Sequence, residues 1–482
     1  MSKLDLKLTK STSAPIDSVL QSVLKKITPA EAEQAQMKKT ITKVLENTEK
    51  IIKPHKLGKV LAGSFTRDTW LAHKKEFDLF IQFPEDTSRE ELERLGLEVG
   101  KKIVSALKGT YLVAYAEHPY VRSKIDGYDI DIVPCYKVAS AEKIKSAVDR
   151  TPFHNEYLAK NLKKIQSSEV RLLKQFCKAN GVYGSDLKTQ GFSGYLCELL
   201  IIKHGTFKNL VSASSKWLPG QVFIDLEGKY KGDKKGFWGQ PLVVIDPVDP
   251  KRNVSAALSP GKFIRFVALI KKLLAKPSED MFVVEQGFDL KNLSSKITKR
   301  ETLFLAVKFK RPEEEDRKQV IVEDIVYPQL RKTANRIVDI LQEQDFICQG
   351  SDIWCGEMDC VILLELSVWK LPNIRKVIGP PIFSVSHSNE FLKKYKHERV
   401  WVEGDKWTAE VKRQYTQAER KLKDTLSQPS KVLKESGIAS HMADSLAQGF
   451  KLLSTKEIVN YKDKDLLRTV KEYFEHEDFV FS

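Results

Sequence analysis

The sequence lacks a long uninterrupted run of apolar residues. Its longest apolar stretches, such as Phe263 to Leu274, are broken by charged side chains and are shorter than the roughly 20 residues that cross a bilayer as a helix. The first residues, Met-Ser-Lys-Leu-Asp-Leu-Lys, contain no apolar core of the kind found in secretory signals. We therefore expect a cytoplasmic protein rather than a membrane or secreted one.

Cysteine is also scarce, with six residues at positions 135, 177, 197, 348, 355 and 360. Cys355 and Cys360 do not have the Cys-x-x-Cys spacing of a structural zinc site. We expect all six to be reduced thiols in the core. The sequence has no internal repeat and no long low-complexity segment, which argues against a repeat architecture.

Basic residues outnumber acidic ones, with 80 Lys and Arg against 64 Asp and Glu and a formal net charge of +16. This excess suits a polyanionic partner, although a solvated basic surface accounts for part of it. A composition that is 41% hydrophobic and 30% charged is that of a globular protein. The length of 482 residues predicts two to four domains.

Acidic residues alternate along two predicted strands. The first, Glu-Phe-Asp-Leu-Phe, carries Glu76 and Asp78, and the second, Tyr-Asp-Ile-Asp-Ile, carries Asp129 and Asp131. Residues i and i+2 of a strand point to one face, so the two acids of each strand project together. Acidic residues are disfavoured in strands, and convergent carboxylates hold the Mg²⁺ pair of nucleotidyl transfer. We predict a metal site with a third carboxylate from Asp129 or Asp131; two solvated acidic faces are the alternative.

A turn of small residues precedes the first acidic strand. Gly63 and Ser64 follow a short predicted strand, and a helical turn is predicted from Thr66 to Ala72. Ser64 would then lie near a helix N-terminus, where unpaired backbone N–H groups and the helix dipole favour phosphate. Arg67 would reach the same phosphate. An ordinary helix N-cap is the alternative.

Three regions of the chain differ in pattern. Strands and helices alternate to about residue 138, which predicts a mixed α/β unit with a small sheet. Residues 139–262 have mainly helical patterns, including one over Lys143–Asp149, and end after a charged loop with prolines at 243–254. Residues 263–482 mix helical patterns with strand-like runs.

Five sequence strings occur in a specific order along the chain. They are Gly-Ser-Phe-Thr-Arg-Asp-Thr-Trp (63–70), Ile-Asp-Ile-Val-Pro-Cys-Tyr (130–136), Ser-Ala-Val-Asp-Arg-Thr-Pro-Phe-His (146–154), Gly-Phe-Ser-Gly-Tyr-Leu-Cys-Glu-Leu-Leu (191–200) and Ile-Asp-Pro-Val-Asp-Pro-Lys-Arg-Asn-Val (245–254). The first alone indicates only the polymerase-beta-like nucleotidyltransferase superfamily. Together, the five strings resemble those of the archaeal, class I CCA-adding enzymes, which are tRNA nucleotidyltransferases. The resemblance covers nearly the whole chain.

The resemblance implies a multidomain protein of α+β, or mixed α/β, class. A polymerase-beta-like nucleotidyltransferase head with a small mixed sheet would span 1–138, and a helical neck that helps to bind nucleotide would span 139–262. An α+β body and tail that bind tRNA would span 263–482. The implied activity is template-independent addition of C, C and A to the 3′ end of tRNA from CTP and ATP, with release of pyrophosphate. Mg²⁺ is the implied cofactor, and a homodimer the implied assembly.

The resemblance also implies roles for individual residues. It assigns the catalytic metal ions to Glu76, Asp78 and Asp131, and so favours Asp131 over Asp129. It places six residues at the incoming nucleotide: Ser64, Arg67, His154, Lys174, Tyr183 and Arg252. Arg252 lies in the loop that resembles the base-reading element. Judged by residue type alone, a lone His is more often structural, a lone Tyr more often packs in the core, and Lys174 would be a solvated helix residue.

The second half of the chain contains the basic residues that we expect to bind RNA. They lie around a predicted strand, Leu303–Lys308, and on a predicted helix, Tyr327–Gln342, and comprise Lys299, Arg300, Lys308, Lys310, Arg331 and Arg336. An A-form helix is recognised by its backbone, its 2′-hydroxyls and its shape, so binding should weaken steeply with salt. Taken singly, each lysine also fits a solvated face.

Two rival functions remain open from the sequence. A poly(A) polymerase or an oligoadenylate synthetase would share the metal-site motif, but would accept only ATP and would not stop after one A. A catalytically silent RNA-binding protein would use the same fold as a scaffold. The complete set of Glu76, Asp78 and Asp131 argues against this second rival.

Overall fold

The computed structural model describes residues 16–115, 117–284, 290–313 and 321–474. The described residues up to 284 form one compact unit, and those from 290 onwards form a second. In these described ranges, no helix is long and apolar enough to cross a membrane.

The first unit begins with the elements of a five-stranded sheet and its covering helices. In chain order these are α1 (Ile16–Ile27), α2 (Glu31–Ile52), β1 (Gly58–Ala62), β2 (Glu76–Phe83), α3 (Arg89–Ala106), β3 (Thr110–Tyr115), β4 (Pro119–Ile125) and β5 (Tyr128–Tyr136). The strand order is β1-β2-β5-β4-β3. The pair β2–β5 is parallel and the other pairs are antiparallel, so the predicted small mixed sheet is confirmed.

One face of this sheet is buried under α2 and α3. The core on that face includes Phe77 and Leu79 of β2 together with Ile130 and Ile132 of β5. These apolar residues alternate with the acidic residues of the same strands, as the period of two requires. Because β2 and β5 run in parallel, their acidic N-terminal ends lie at the same edge of the sheet.

Close approach of α3 to the sheet depends on two glycines. A Cβ atom placed on Gly96 would stand 2.7 Å from Pro134 Cβ, and one placed on Gly100 would stand 2.8 Å from Val121 Cγ2. Contacts this short do not occur between real side chains without movement of one partner. At these two positions the backbone of α3 therefore packs directly against side chains of the sheet.

The remainder of the first unit is mainly helical. It contains α4 (Arg150–Asn161), α5 (Gln166–Ala179), α6 (Gly194–His204), α7 (Phe207–Ser214), β6 (Val222–Ile224), β7 (Leu242–Val244) and α8 (Pro260–Ala275). Residue 262, where we expected the second region to end, lies inside α8, and the compact unit continues to residue 284.

The helix predicted over Lys143–Asp149 is wrong, because this segment forms two short 3₁₀ turns instead. The buried Asp149 carboxylate accepts hydrogen bonds from the backbone N–H groups of Tyr136, Lys145 and Ser146. A short acidic side chain that binds nearby backbone donors in this way competes with the helical hydrogen-bond pattern.

The second unit contains the remaining elements. They are α9 (Leu290–Lys299), β8 (Leu303–Lys310), α10 (Glu323–Gln342), β9 (Ile347–Cys355), β10 (Asp359–Val368), β11 (Ile374–Pro381), α11 (Val385–Lys394), β12 (Arg399–Glu403), β13 (Lys406–Lys412), α12 (Ala418–Leu426), α13 (Ser430–Glu435), α14 (Ser440–Gln448), β14 (Phe450–Ser454), α15 (Thr455–Val459) and α16 (Lys464–Phe474). The strand predicted at 303–308 is confirmed. The helix predicted at 327–342 begins four residues earlier, at Glu323.

Two antiparallel sheets organise this unit. The larger has the order β14-β8-β10-β9, and the smaller has the order β11-β13-β12. Cys355 and Cys360 face each other across the β9–β10 pair, with their Sγ atoms 3.0 Å apart. All six cysteines are free thiols; five are buried and Cys348 is half-buried.

We expect Gly100→Ala to destabilise the first unit by about 1–3 kcal/mol through overpacking against Val121. This loss outweighs the gain of about 1 kcal/mol in helix propensity. Gly261→Ala in α8 is the matched control, because nothing lies within 4 Å of its added Cβ. Denaturant unfolding of both variants tests the packing; a Gly100→Ala protein as stable as the control would contradict it.

Candidate active site

The acidic residues of β2 and β5 lie side by side on one face of the sheet. The parallel register pairs Glu76 with Asp129 and Asp78 with Asp131. Glu76 and Asp129 are exposed at the edge, while Asp78 and Asp131 are half-buried. The structure thus brings together all the acids that the strand pattern had singled out.

Asp78 lies at the centre of this carboxylate cluster. Its burial, followed by the nearby charges of Asp131 and Glu76, raises the pKa of Asp78 to about 6. Asp129 makes no comparable contribution, being opposite Glu76 and next to Lys124 of β4. Asp131 is therefore the acid of β5 that is coupled to Asp78.

The two outer carboxylates of the cluster contact cations of the same sheet region. The Lys74 ammonium binds Glu76. Arg122 lies opposite Asp131 in the β4–β5 register and donates to both of its oxygens, from Nε at 3.1 Å and from Nη2 at 3.2 Å. The phenol of Tyr120 in turn accepts from Arg122 at 2.7 Å. The cluster is thus partly neutralised by the protein itself.

The donor set of the cluster fits a hard divalent cation. Carboxylate oxygens are the ligands that Mg²⁺ prefers. The pKa of Asp78 is raised first by burial and then by the charges of Asp131 and Glu76, and a bound cation would oppose both effects. Among the described residues, no three His, Cys, Asp or Glu side chains converge on one metal position. Lys74 and Arg122 are instead the positive groups in contact with Glu76 and Asp131.

The turn before β2 packs directly onto Asp78. Gly63 has φ +95°, and a Cβ there would stand 3.2 Å from Asp78 Oδ2. The helical turn predicted from Thr66 to Ala72 is wrong, because the helical residues are a 3₁₀ turn at Ser64–Arg67. The Thr66 hydroxyl donates to the Gly63 carbonyl at 2.9 Å, and the chain leaves the turn through Asp68 in the left-handed region.

Two of the predicted nucleotide-binding residues share one buried acid, Glu198 of α6. Lys174 Nζ lies 3.1 Å from Glu198 Oε1, and Arg67 Nη2 lies 3.1 Å from Oε2. The hydroxyl of Thr69 donates to Glu198 at 2.5 Å. Burial by itself would raise the pKa of Glu198, but Lys174 and Arg67 hold that pKa below its usual value.

Tyr183 lies beside the group of side chains around Glu198. A Cβ on Gly194 would stand 3.1 Å from Tyr183 Oη and 3.8 Å from Lys174 Nζ, so the phenol and the ammonium border the same glycine. Burial, together with the nearby Cys197, Glu198 and Glu76, raises the pKa of Tyr183.

Two more of the predicted nucleotide-binding residues, His154 and Arg252, share a second buried acid, Asp246. His154 Nε2 lies 2.8 Å from Asp246 Oδ2, and Arg252 Nη1 donates to the same oxygen at 3.0 Å. The phenol of Tyr195 donates to Asp246 Oδ1 at 3.2 Å and its ring stacks on His154. The six residues predicted to bind nucleotide thus lie in three places. Ser64 lies in the turn before β2, Arg67, Lys174 and Tyr183 lie around Glu198, and His154 and Arg252 lie around Asp246.

Three family models match successive parts of the chain. The nucleotidyltransferase domain matches residues 41–154, the second domain of tRNA nucleotidyltransferase matches 168–283, and the C-terminal domain of CCA-adding enzyme matches 300–455. Together they follow the chain through the five-stranded sheet, the helical region and most of the second unit.

Curated relatives match over most of their length. The CCA-adding enzyme of Methanosarcina acetivorans is 39% identical over 469 residues, covering 95% of this chain and 98% of that one. Those of Methanothermobacter thermautotrophicus (38%, covering 85% and 87%) and Archaeoglobus fulgidus (33%, covering 92% and 96%) are also similar. This chain belongs to the CCA-adding enzyme family. The predicted family and the predicted polymerase-beta-like head are confirmed, and the chain is a tRNA nucleotidyltransferase.

Solved structures give a weaker likeness. A structure of the Cid1 poly(U) polymerase matches with a TM-score of 0.45 and 12% identity, covering 56% of this chain and 98% of that one. At this level the likeness adds nothing to the family assignment.

Sequence reasoning missed several residues of the CCA-adding enzyme's candidate site. Glu198 carried a signal, since it is the one acid within the apolar run Leu196–Ile201, and such an acid needs buried cations. The sequence around Arg122 and around Asp246 did not indicate which residues they contact. The same holds for Asn155, which donates to the Leu61 carbonyl and accepts from Thr66 and Arg67.

The six basic residues predicted to bind RNA lie in the second unit of the CCA-adding enzyme. Four of them hold acidic partners there: Arg300 with Glu365, Lys308 with Asp359, Lys310 with Glu313, and Arg336 with Glu343. Lys299 is exposed in the last turn of α9, and Arg331 is half-buried on α10. Each of these four basic side chains is therefore partly neutralised by a neighbouring acid.

We expect Asp78→Asn to stabilise the protein at pH 7.5 in the presence of EDTA. The folded pKa of Asp78, about 6, lies above its ordinary value of 3.8, so the folded state binds more protons between these values and gains stability as the pH falls. The shift corresponds to at most roughly 3 kcal/mol at pH 7.5, and the gain from the substitution should shrink towards pH 5.

Thermal unfolding of Asp78→Asn and wild type at pH 5 and pH 7.5 measures this difference. Asp129→Asn is the matched control, because Asp129 is an exposed acid on the same face. An equal gain in stability for both variants, or a gain that does not depend on pH, would contradict the raised pKa that we assign to Asp78.

Proposed function

We propose that Glu76, Asp78 and Asp131 form the metal-binding catalytic centre at which this enzyme extends tRNA. The enzyme adds C, C and A to the 3′ end of tRNA without a nucleic-acid template, the reaction of the family to which it belongs. The observation that supports the proposed site is the placement of these three carboxylates on one face of two parallel strands in register, beside the Gly63 turn.

Nucleotidyltransferases of this superfamily generally use divalent metal ions, and we propose Mg²⁺ here. When bound, Mg²⁺ would favour ionisation of the attacking 3′-hydroxyl and neutralise the pyrophosphate that leaves. Asp78, which lies between Glu76 and Asp131, would hold the metal together with these two acids. Lys74 and Arg122 neutralise the outer carboxylates, Glu76 and Asp131. The net charge around these acids would therefore change little if a metal ion displaced the two basic side chains.

The triphosphate of CTP or ATP would lie against Ser64, Arg67, Lys174 and Tyr183. Arg67 and Lys174 suit a polyphosphate because both are cations with several donors. Their shared counter-ion, Glu198, fixes the positions of both before a nucleotide arrives. The phenol of Tyr183 lies next to Lys174 and is able to donate to a phosphate oxygen.

His154 and Arg252 would bind the remaining parts of the nucleotide. We assign His154 to a phosphate oxygen and Arg252 to the base edge, where guanidinium donors match O2 and N3 of cytosine or N1 of adenine. The Arg252 side chain is 41% exposed although one of its nitrogens is held by the fully buried Asp246. Its other N–H groups therefore remain available to a base.

We also propose a division of labour along the chain. Residues 1–138 would be the catalytic head, 139–262 the neck, and 263–482 the body and tail that bind tRNA through Lys299, Arg300, Lys308, Lys310, Arg331 and Arg336. The family matches at 41–154, 168–283 and 300–455 support a division of this kind. The homodimer and the cytoplasmic location stay predictions.

The poly(A) polymerase alternative receives no support from the second unit. The match of residues 300–455 to the C-terminal domain of CCA-adding enzyme favours the tRNA substrate over other RNA 3′ ends. The silent RNA-binding alternative would predict loss of at least one metal-binding acid, and the three carboxylates are all in place.

We expect Asp131→Ala and Asp78→Ala to abolish nucleotide transfer while Asp129→Ala retains it. Asp131 and Asp129 are two residues apart on one strand and face the same way, so the pair separates metal binding from general loss of surface charge. Extension of a tRNA transcript lacking CCA, measured with CTP and ATP, gives the readout. Near-normal transfer by Asp131→Ala, or loss in Asp129→Ala alone, would reject the assignment.

We expect Lys299→Ala/Lys310→Ala to weaken tRNA binding and to flatten its salt dependence. Each lost phosphate contact should reduce the slope of log K against log salt by about 0.7–0.9. Fluorescence anisotropy with labelled tRNA at several salt concentrations measures both quantities. Lys38→Ala/Lys39→Ala, which removes two exposed lysines of α2, is the control. An unchanged slope in the first variant would exclude these two lysines from the interface.

A further inference from the structure

Asp246 is a buried acid outside the carboxylate cluster, and it contacts two of the proposed nucleotide-binding residues. Its side chain is fully buried, and four groups reach its two oxygens. Oδ2 contacts His154 Nε2 at 2.8 Å and accepts from Arg252 Nη1 at 3.0 Å. Oδ1 accepts from Tyr195 Oη at 3.2 Å and from the Val248 backbone N–H at 3.1 Å. No other acid in the described ranges joins two of the proposed nucleotide ligands from different elements in this way except Glu198.

Three separate elements converge on this one carboxylate. His154 belongs to α4, Tyr195 belongs to α6, and Arg252 belongs to the loop that follows β7. The Asp246 backbone N–H also donates to the Arg252 carbonyl at 3.0 Å, which closes the loop between these two residues. The position of the Arg252 guanidinium is therefore fixed from both its backbone and its side chain.

His154 has a second contact, with the ring of Tyr195. Its ring stacks on Tyr195 with the centroids 4.1 Å apart and an interplanar angle of 23°. Tyr195 is held in turn by Asp246 Oδ1. A displacement of Asp246 would thus alter both contacts of His154 at the same time as it released Arg252.

A buried carboxylate with two cationic or polar partners cannot lose one of them cheaply, because the remaining charge is left uncompensated. The arrangement therefore resists independent movement of Arg252 and His154. We propose that Asp246 is the positioning residue for nucleobase selection, holding the base-reading Arg252 and the phosphate-binding His154 in one fixed relation. This inference rests on the proposed function, in which Arg252 contacts the base and His154 contacts a phosphate.

The consequence is that base and triphosphate are recognised jointly. A nucleotide whose base displaces Arg252 also disturbs the contact of Asp246 with His154, so a wrong base is penalised at the phosphate as well. Loss of Asp246 should then reduce discrimination between nucleotides, which a purely structural loop contact would not do.

Asp246→Asn tests this inference, with Asp249→Asn as the matched control. Asp249 lies in the same loop and forms an ion pair with Arg150 at 3.0 Å, so it controls for loss of a loop carboxylate. The readout is the ratio of kcat/KM for CTP to that for UTP on tRNA lacking CCA. A hydrogen bond to a charged group predicts a fall in this ratio of about tenfold or more for Asp246→Asn. The control should stay within about twofold of wild type.

A double substitution tests whether Asp246 acts through Arg252. Arg252→Ala should itself lose selectivity, and Asp246→Asn/Arg252→Ala should lose no more than the larger single loss. Additive losses would show that Asp246 affects selection by another route, and would overturn the inference.

Tyr195→Phe keeps the inference testable if Asp246→Asn does not fold. This substitution removes only the hydroxyl that donates to Asp246 and keeps the ring on His154, so the selectivity ratio should fall in the same direction by a smaller factor. Unchanged selectivity in every folded Asp246 or Tyr195 variant, with selectivity lost in Arg252→Ala, would overturn this inference alone. Unchanged selectivity in Arg252→Ala would instead overturn the base-reading role in the proposed function.

Discussion

Mutual repulsion of the carboxylates on β2 and β5 is the constraint around which the first unit is arranged. The parallel register places Asp78 directly opposite Asp131, and Glu76 adds a third charge one pleat away. Lys74 and Arg122 offset this repulsion at the outer acids, Glu76 and Asp131. Asp78 lies between them, and its burial and their charges raise its pKa. A divalent cation that bound these carboxylates only in the folded state would stabilise the fold.

Two further buried acids organise the groups that would contact the nucleotide. Glu198 holds Arg67 and Lys174, and Asp246 holds His154 and Arg252. Cations gathered at one site repel one another and would otherwise point into solvent. With a buried counter-ion they are fixed before the substrate arrives, and fixed charges act on a transferring phosphoryl group without the cost of reorganising.

The acid pattern could be predicted from sequence because it is local. Residues at i and i+2 of a strand share a face whatever the rest of the chain does, so the placement of Glu76 and Asp78 follows from a short string. Partners that are distant in sequence could not be found in this way. Arg122 reaches Asp131 only through the β4–β5 pair, and Asp246 meets His154 across 92 residues.

Local polar contacts account for the predictions that failed. Asp149 captures backbone donors and prevents the helix predicted at 143–149. The turn after Gly63 is a short 3₁₀ segment, in which the Thr66 hydroxyl donates to the Gly63 carbonyl. The acidic partners of Arg300 and Lys308, Glu365 and Asp359, both lie on β10, and the sequence alone did not reveal these pairs.

The most direct measurement is the product formed on tRNA transcripts that lack CCA, end in C, or end in CC. Each transcript is incubated with purified protein, Mg²⁺ and CTP, ATP or both, and the 3′ ends are sequenced. The account predicts that each transcript is completed to CCA, with no more than two C and one A added, and that extension then stops. A long A tail, or no extension with any nucleotide, would contradict it.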